Sequence, residues 1–242
     1  KAIREHESLL HVLDKTGFHI SWRDNQSGCK GVCEGLELQR LGASEHATLC
    51  DGERCVDEIL LENLEEEVQH ANGNAVIVLH QLGNHGPAYY RRHPPAFRQF
   101  TPTCDTNDLG KCTREQIVNS YDNALLYTDY FLSQTIDRLK RQTSHHAAMI
   151  YVSDHGESLG EKGIYLHGLP YAIAPKEQKE VPMVMWMSDG FLSSHWINKE
   201  CMKQKAQQPF NHDYLFHSVL GILGIKTTLY DPSYDMTISC RL

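Results

Sequence analysis

The chain of 242 residues has the size and composition of one globular domain, because 40% of its residues are hydrophobic. That share is far above the range typical of disordered proteins. Its formal net charge of −8, with no basic stripe to offset it, argues against a nucleic-acid partner. No segment approaches the ~18 consecutive apolar residues of a membrane span, and residues 1–6 are too charged for a signal peptide. We therefore expect a soluble domain whose membrane anchor, if it has one, lies outside these residues.

Helical periodicity alternates with short apolar runs along the sequence. In the first half of the chain, the pattern predicts a helix over 5–15, a strand over 18–22, a helix over 55–71 and a strand over 75–79. In the second half, it predicts a long helix from 113, strands over 147–152 and 181–187, and a helix over 212–223. Strands that are apolar throughout are expected to be buried on both faces of a sheet. We predict one α/β domain over 1–242, with a mostly parallel central sheet and helices on both faces.

Eight cysteines point to an oxidising compartment, since six of them form close sequence pairs around short polar loops. A structural zinc site is the alternative. It is disfavoured because the chain has no C-x2-C pair and the three spacings differ. Two cysteines remain, and we pair them by elimination. The predicted disulfides are Cys29–Cys33, Cys50–Cys55, Cys104–Cys112 and Cys201–Cys240.

Polar side chains follow two of the predicted strands, at the edge where open parallel sheets form their sites. Asp154 and His155 come directly after the strand over 147–152. Both residue types bind zinc, and Gly156 permits the sharp turn that adjacent side chains need in order to converge. The alternative for this dipeptide is an ordinary Asp-His surface turn.

Two further histidines favour a metal or phosphate site over that alternative. His85 follows the strand over 75–79, and His167 lies 12 residues after His155; each is next to a glycine. Arg91 and Arg92 follow the His85 segment, where two cations could meet an anionic substrate. A solvated pair of charges is the favoured interpretation of these arginines.

Five sequence blocks identify a family resemblance that extends from about residue 1 to residue 240. They are W-R-D-N-Q-S-G-C-K-G-V-C at 22–33, H-Q-L-G-N-H-G-P-A-Y-Y at 80–90, F-T-P-T-C-D-T-N at 100–107, S-D-H-G-E-S-L-G-E at 153–161 and G-I-Y-L-H-G-L-P-Y-A-I-A-P at 163–175. In this order, with paired cysteines, they resemble the lipid A phosphoethanolamine transferases of Gram-negative bacteria, a family that includes polymyxin-resistance enzymes. The resemblance implies an alkaline-phosphatase-like α/β fold.

The same resemblance implies a Zn²⁺ site. Asp154 and His155 match two of the four family ligands of the catalytic zinc. The other two ligands, a glutamate and the nucleophilic threonine, belong to a part of the family sequence upstream of these blocks. The chain is therefore expected to lack the N-terminal part of the catalytic domain, and to be inactive alone.

Other matched positions imply roles around the transferred phosphoryl group. His85 and His167 match histidines that line the substrate site and hold additional zinc in some members. Lys30 matches a lysine placed near the phosphoryl group. Glu157 follows the zinc ligands, and we expect it to support them without binding the metal.

The function implied by the resemblance is transfer of phosphoethanolamine from phosphatidylethanolamine to a phosphate of lipid A. It proceeds through a phosphothreonine intermediate, at the periplasmic face of the bacterial inner membrane, and gives polymyxin and colistin resistance. We expect a monomer held at the membrane by N-terminal helices outside this chain. The alternatives are a phosphoglycerol transferase or sulfatase-like hydrolase of the same superfamily and, from another class, a non-catalytic binding module stabilised by disulfides.

Overall fold

A three-stranded parallel sheet organises the first third of the protein in the computed structural model, which describes residues 7–42, 46–71 and 73–242. Strand β1 (His19–Asp24) is central, with β2 (Glu37–Arg40) on one side and β3 (Ala75–His80) on the other. Sequence analysis did not predict β2, because its four residues contain one apolar side chain. The predicted helix over 5–15 appears as α1 (Leu9–Lys15), and its first two residues lie outside the described part.

Helices cover both faces of this sheet, so the predicted α/β architecture is confirmed. On one face Val76 and Val78 of β3 pack with α1 and α6 (Asp213–Ile222). On the other face Ile77 and Leu79 pack against Phe131 of the long helix α3 (Arg114–Arg141). Alternate β3 side chains thus enter two separate core clusters, as the pleat of a strand requires.

The second sheet departs from the predicted parallel arrangement. Strand β4 (Ala148–Val152) pairs antiparallel with β7 (Met183–Met187) and, within the described residues, with no other strand. In the described ranges, strand β3 likewise has a partner on one edge alone. The side chains of β3 and β4 are half-buried, which is less than the full burial expected of strands that are apolar throughout.

The segment over 55–71 is not the single helix that its apolar stripe predicts. A 3-10 helix covers Asp57–Leu61 and α2 covers Leu64–His70. Between them Asn63 adopts the left-handed conformation, with φ of 57°, and this breaks the helical path. Two short helices that were not predicted, α4 (Asp189–Ser194) and α5 (Lys199–Lys205), follow β7.

Helix α3 begins where its sequence predicts. The Thr113 side chain accepts a hydrogen bond from the Gln116 amide, and the Gln116 side chain accepts one from the Thr113 amide. This reciprocal cap satisfies two backbone donors at the start of a 28-residue helix. None of the helices in the described ranges is long and apolar enough to cross a membrane.

Four disulfides join all eight cysteines in the pairs expected from the sequence. Three of them close loops with sequence separations of 4, 5 and 8, and the Cys201–Cys240 bridge spans 39 residues. This last bridge ties α5 to the C-terminal segment. Four disulfides in one chain fit an extracytoplasmic compartment.

Candidate metal centre

Three histidines from separate loops converge on one point of the surface. One ring nitrogen from each of His85, His155 and His167 lies within 4.8 Å of the other two. The rings of His155 and His167 stack at 3.8 Å between centroids, and His85 approaches His167 edge-on at 4.8 Å. The side chains of His155 and His167 keep about a third of their area exposed, 30% and 29%. We call these residues the histidine trio.

The hydrogen bonds of the trio leave the same nitrogen of each ring available. Each Nδ1 faces an oxygen acceptor: the Gly86 carbonyl at 2.7 Å from His85, the Gly156 carbonyl at 3.1 Å from His155, and the Glu157 carboxylate at 3.0 Å from His167. Carbonyl and carboxylate oxygens accept, so each Nδ1 must carry the hydrogen. Each Nε2 then has a free lone pair, which is the tautomer that metal-binding histidines require.

Local chain geometry brings the trio together. His85 lies five residues beyond β3, and His155 lies three residues beyond β4. A small antiparallel pair, β5 (Ser158–Leu159) with β6 (Tyr165–Leu166), returns the chain so that His167 meets His155. The sequence separation of 12 between those two histidines is therefore the length of one hairpin.

Glycines are required here for close packing. A Cβ on Gly156 would lie 2.1 Å from the Glu177 carbonyl oxygen, and one on Gly86 would lie 2.7 Å from the Tyr89 hydroxyl. Sequence analysis expected Gly156 to supply an unusual turn, yet its φ is not positive. Its small size is what lets the His155 loop lie against the segment at 177–178, where its amide donates to the Gln178 carbonyl.

Glu157 is a buried carboxylate that fixes two members of the trio. Its Oε1 accepts from the Gly86 amide at 3.1 Å and from Nδ1 of His167, and its Oε2 accepts from the Tyr89 hydroxyl at 3.2 Å. Burial and then the Glu157 charge raise the pKa of Tyr89, so this phenol stays a hydrogen donor. Glu157 thus orients the His167 ring and holds the backbone beside His85, without itself joining the trio.

Asp154 lies at the rim of this cluster. Its side chain is 87% exposed, and its Oδ1 is 3.8 Å from Nε2 of His155, the nitrogen left available for a metal. The same carboxylate accepts a hydrogen bond from the His155 amide at 3.0 Å. The predicted pair of Asp154 and His155 therefore occurs as neighbours, while the groups that converge most closely are the three imidazoles.

Arg92 is a supporting residue that sequence analysis misjudged as part of a solvated pair. Its Nε donates to the His85 carbonyl at 2.7 Å. Burial, followed by the charge of Arg54, lowers the pKa of Arg92, which remains a cation. Arg91, in contrast, is exposed. It makes a cation–π contact with the Tyr90 ring and an ion pair with Glu53. Arg91 and Arg92 both follow the 80–90 block, so the sequence did not distinguish the supporting arginine from the exposed one.

Asp57 fixes the start of the loop that carries His85. Its carboxylate accepts from the backbone amides of Leu82 and Gly83, each at 2.8 Å, and from the Asn25 side chain at 2.7 Å. Burial raises the pKa of Asp57, although these three donors oppose the shift. The loops after β1 and β3 are thereby joined through one side chain.

Lys30 lies on the loop after β1, not among the trio. It adopts φ of 53°, and its Nζ donates to Ser27 at 2.6 Å; in the described chain, no contact links it to the three histidines. The loop is held by Asp24, whose carboxylate accepts from the Gly28 amide at 2.8 Å and pairs with Nδ1 of His80 at 2.6 Å. The predicted role of Lys30 stays a prediction.

Replacing Asp24 with asparagine is expected to lower the unfolding free energy by about 1–3 kcal/mol at pH 7. The reason is that a buried carboxylate with several hydrogen bonds is lost. Burial opposes ionisation, yet hydrogen bonds from His80 and Gly28 lower the pKa of Asp24 below 3.8. A depressed folded-state pKa stabilises the protein above the unfolded pKa, and this stabilisation disappears as pH falls through the folded value. Urea denaturation should show a difference at pH 7 that shrinks at pH 3. A difference independent of pH would contradict this account; the exposed Asp14→Asn is the control.

The chain is similar in sequence to proteins of known family. The sequence profile of the sulfatase family matches residues 1–225. The phosphoethanolamine transferase EptA of Escherichia coli (strain K12) is 46% identical over 237 residues, which cover 97% of this chain and 43% of the relative. The chain thus spans less than half the length of that relative.

Solved structures agree with the sequence comparison. The C-terminal periplasmic domain of phosphoethanolamine transferase EptC from Campylobacter jejuni superposes with a TM-score of 0.84 at 45% identity, covering 96% of this chain and 70% of that one. The integral membrane protein lipooligosaccharide phosphoethanolamine transferase A from Neisseria meningitidis gives a TM-score of 0.92 at 42% identity, covering 96% of this chain and 44% of that one.

Proposed function

Because the chain belongs to the sulfatase family and is related within it to phosphoethanolamine transferases, we propose that it forms the catalytic part of such an enzyme. The enzyme transfers phosphoethanolamine from phosphatidylethanolamine to a phosphate of lipid A. The observation that carries the proposal is the histidine trio. In each ring, Nδ1 donates its hydrogen to an oxygen atom, which leaves the lone pair of Nε2 for a metal ion.

The donor set fits Zn²⁺. Neutral imidazole nitrogens and a carboxylate are common zinc ligands, and a carboxylate behind one histidine is a frequent supporting contact. Asp154 and His155 would hold the catalytic ion, with His85 and His167 facing the substrate or a second ion. When bound, zinc neutralises charge on the phosphoryl oxygens and lowers the pKa of an attacking hydroxyl.

Two displacements account for the transfer. A threonine outside these 242 residues forms a bond from its oxygen to the phosphorus of phosphatidylethanolamine, while the bond to the diacylglycerol oxygen breaks. A phosphate oxygen of lipid A then forms a bond to the same phosphorus and releases the threonine. In the first step, the Nε2 lone pair of His85 or His167 accepts the threonine hydroxyl proton and passes it to the departing diacylglycerol oxygen. In the second step, the same nitrogen passes the proton of the attacking phosphate back to the threonine oxygen. Lys30 stabilises the charge that builds on the phosphoryl oxygens.

The compartment and membrane context follow from the same proposal. Four disulfides and the periplasmic domain of the Campylobacter jejuni relative support the periplasmic face of the inner membrane. The integral membrane relative supports an anchor elsewhere in the intact protein. Both lipid substrates lie at that surface.

The test is mass spectrometry of lipid A from cells that produce the intact protein containing this chain. We expect lipid A with added phosphoethanolamine, together with polymyxin resistance, and loss of both in His167→Ala. His145→Ala, at a half-buried histidine outside the trio, is the control. Addition of phosphoglycerol, or unmodified lipid A combined with sulfatase activity, would overturn the proposal in favour of another branch of the superfamily.

A further inference from the structure

The segment from Tyr165 to Pro175, which we call the Tyr171 loop, presents large apolar side chains at the surface. Tyr171 is 80% exposed and Ile173 is 68% exposed, and Tyr165 and Leu169 are also exposed. His167, a member of the trio, lies within this loop. Four exposed apolar side chains in nine residues, beside a candidate catalytic site, form a patch of the kind that marks an interaction surface.

The loop is ordered by its own contacts, so its side chains are held outward. The amides of Ile173 and Ala174 both donate to the Pro170 carbonyl at 2.9 Å, which forms a turn. Ala174 is buried and anchors the end of the loop. Lys179 lies over the Tyr171 ring at 5.0 Å from its centroid and donates to the Tyr171 carbonyl. Exposure of Tyr171 is therefore a property of the folded loop.

The stretch that contains the loop is less acidic than the protein as a whole. Residues 162–176 contain two lysines, Lys162 and Lys176, and no aspartate or glutamate, whereas the chain carries a formal charge of −8. Of the two glutamates that bound this stretch, Glu161 pairs with Arg114 at 3.0 Å and Glu177 follows Lys176. An apolar and aromatic patch flanked by lysines fits the interfacial zone of an anionic bilayer. Its fit to an acidic chain segment is poorer, because exposed tyrosine and isoleucine would find few apolar partners there.

We propose that the Tyr171 loop inserts Tyr171 and Ile173 into the headgroup region of a lipid bilayer, next to His167. This rests on the proposed function for one point alone, that the substrates are membrane lipids. Phosphoryl transfer takes place at the headgroup, so a loop that touches the bilayer at the site lets the headgroup enter without extracting the acyl chains. The exposed apolar residues of β7, Met183 and Val184, belong to a strand and not to the Tyr171 loop.

Co-sedimentation of the 242-residue chain with vesicles tests the proposal. Vesicles of phosphatidylethanolamine and phosphatidylglycerol should retain the chain, and neutral phosphatidylcholine vesicles should retain less. The double variant Tyr171→Ser/Ile173→Ser is expected to bind at least about fivefold more weakly, because two apolar insertions are lost. Leu229→Ser, which changes a residue 55% exposed in another segment, is the matched control and should bind like the unchanged chain.

The outcomes separate this inference from the proposed function. Absence of vesicle binding, or equal binding by the double variant, would overturn it and assign the patch to a protein contact. Zinc binding by the double variant checks that the neighbouring trio is intact. Since co-sedimentation needs no turnover, a negative result leaves the transferase proposal standing. Vesicle binding by the chain, combined with no transfer by the intact protein, would contradict the transferase proposal alone.

Discussion

His155→Ala is expected to lower the zinc affinity of the chain at least about 100-fold, because it removes one of three converging imidazoles and the partner nearest to Asp154. Isothermal titration with Zn²⁺ at neutral pH measures the affinity, and elemental analysis of purified protein measures the content. His145→Ala is the matched control, since this half-buried histidine contacts Ser144 and lies outside the trio.

Two further variants test which side chains bind the zinc ion. Asp154→Asn is expected to weaken zinc binding if the carboxylate is a ligand, as the family resemblance implies, and His85→Ala tests a predicted site histidine that the structure brings next to His155 and His167. Unchanged zinc affinity in His155→Ala would refute the metal centre. Loss in His155→Ala with no change in Asp154→Asn would instead assign the ion to the trio alone.

Glu157→Gln is expected to lower the unfolding free energy by about 1–3 kcal/mol and the zinc affinity by about 10–100-fold. The buried carboxylate accepts from donors on both oxygens. An amide offers one acceptor and turns its NH₂ group toward a donor, so at least one buried partner loses its hydrogen bond. Urea denaturation measures the first effect and zinc titration the second.

The exposed Glu180→Gln serves as the control for the same chemical change without burial. Wild-type stability in Glu157→Gln would contradict the buried network. Reduced stability with normal zinc affinity would mean that His167 does not depend on Glu157 for its orientation.

The sequence predicted which residues meet at the candidate site more accurately than it predicted how the strands pair. His85 and His155 were identifiable because each follows an apolar strand, and the ends of such strands form sites in α/β folds. The role of Arg92 was hidden, because it depends on a backbone carbonyl seven residues earlier, which no side-chain pattern records. Gly156 was singled out for its backbone freedom, but the structure needs its small size.

The errors in the fold have local physical causes. The stripe over 55–71 has helical spacing, yet the left-handed Asn63 splits it, a conformation that few non-glycine residues adopt. Strand direction cannot be read from an apolar run, so β7 was predicted within a parallel sheet and pairs antiparallel with β4. Cysteine pairing, by contrast, followed from proximity in sequence for three bridges and from elimination for the fourth.

The one-sided pairing of β3 and β4 has a consequence for how the chain behaves in solution. Along their second edges, backbone N–H and C=O groups of two apolar strands have no ladder partner within the described residues. Such edges accept any extended segment, whether from elsewhere in the intact protein or from another copy. The monomeric state expected from the sequence therefore depends on a covering segment, and a chain without one gains a route to concentration-dependent aggregation.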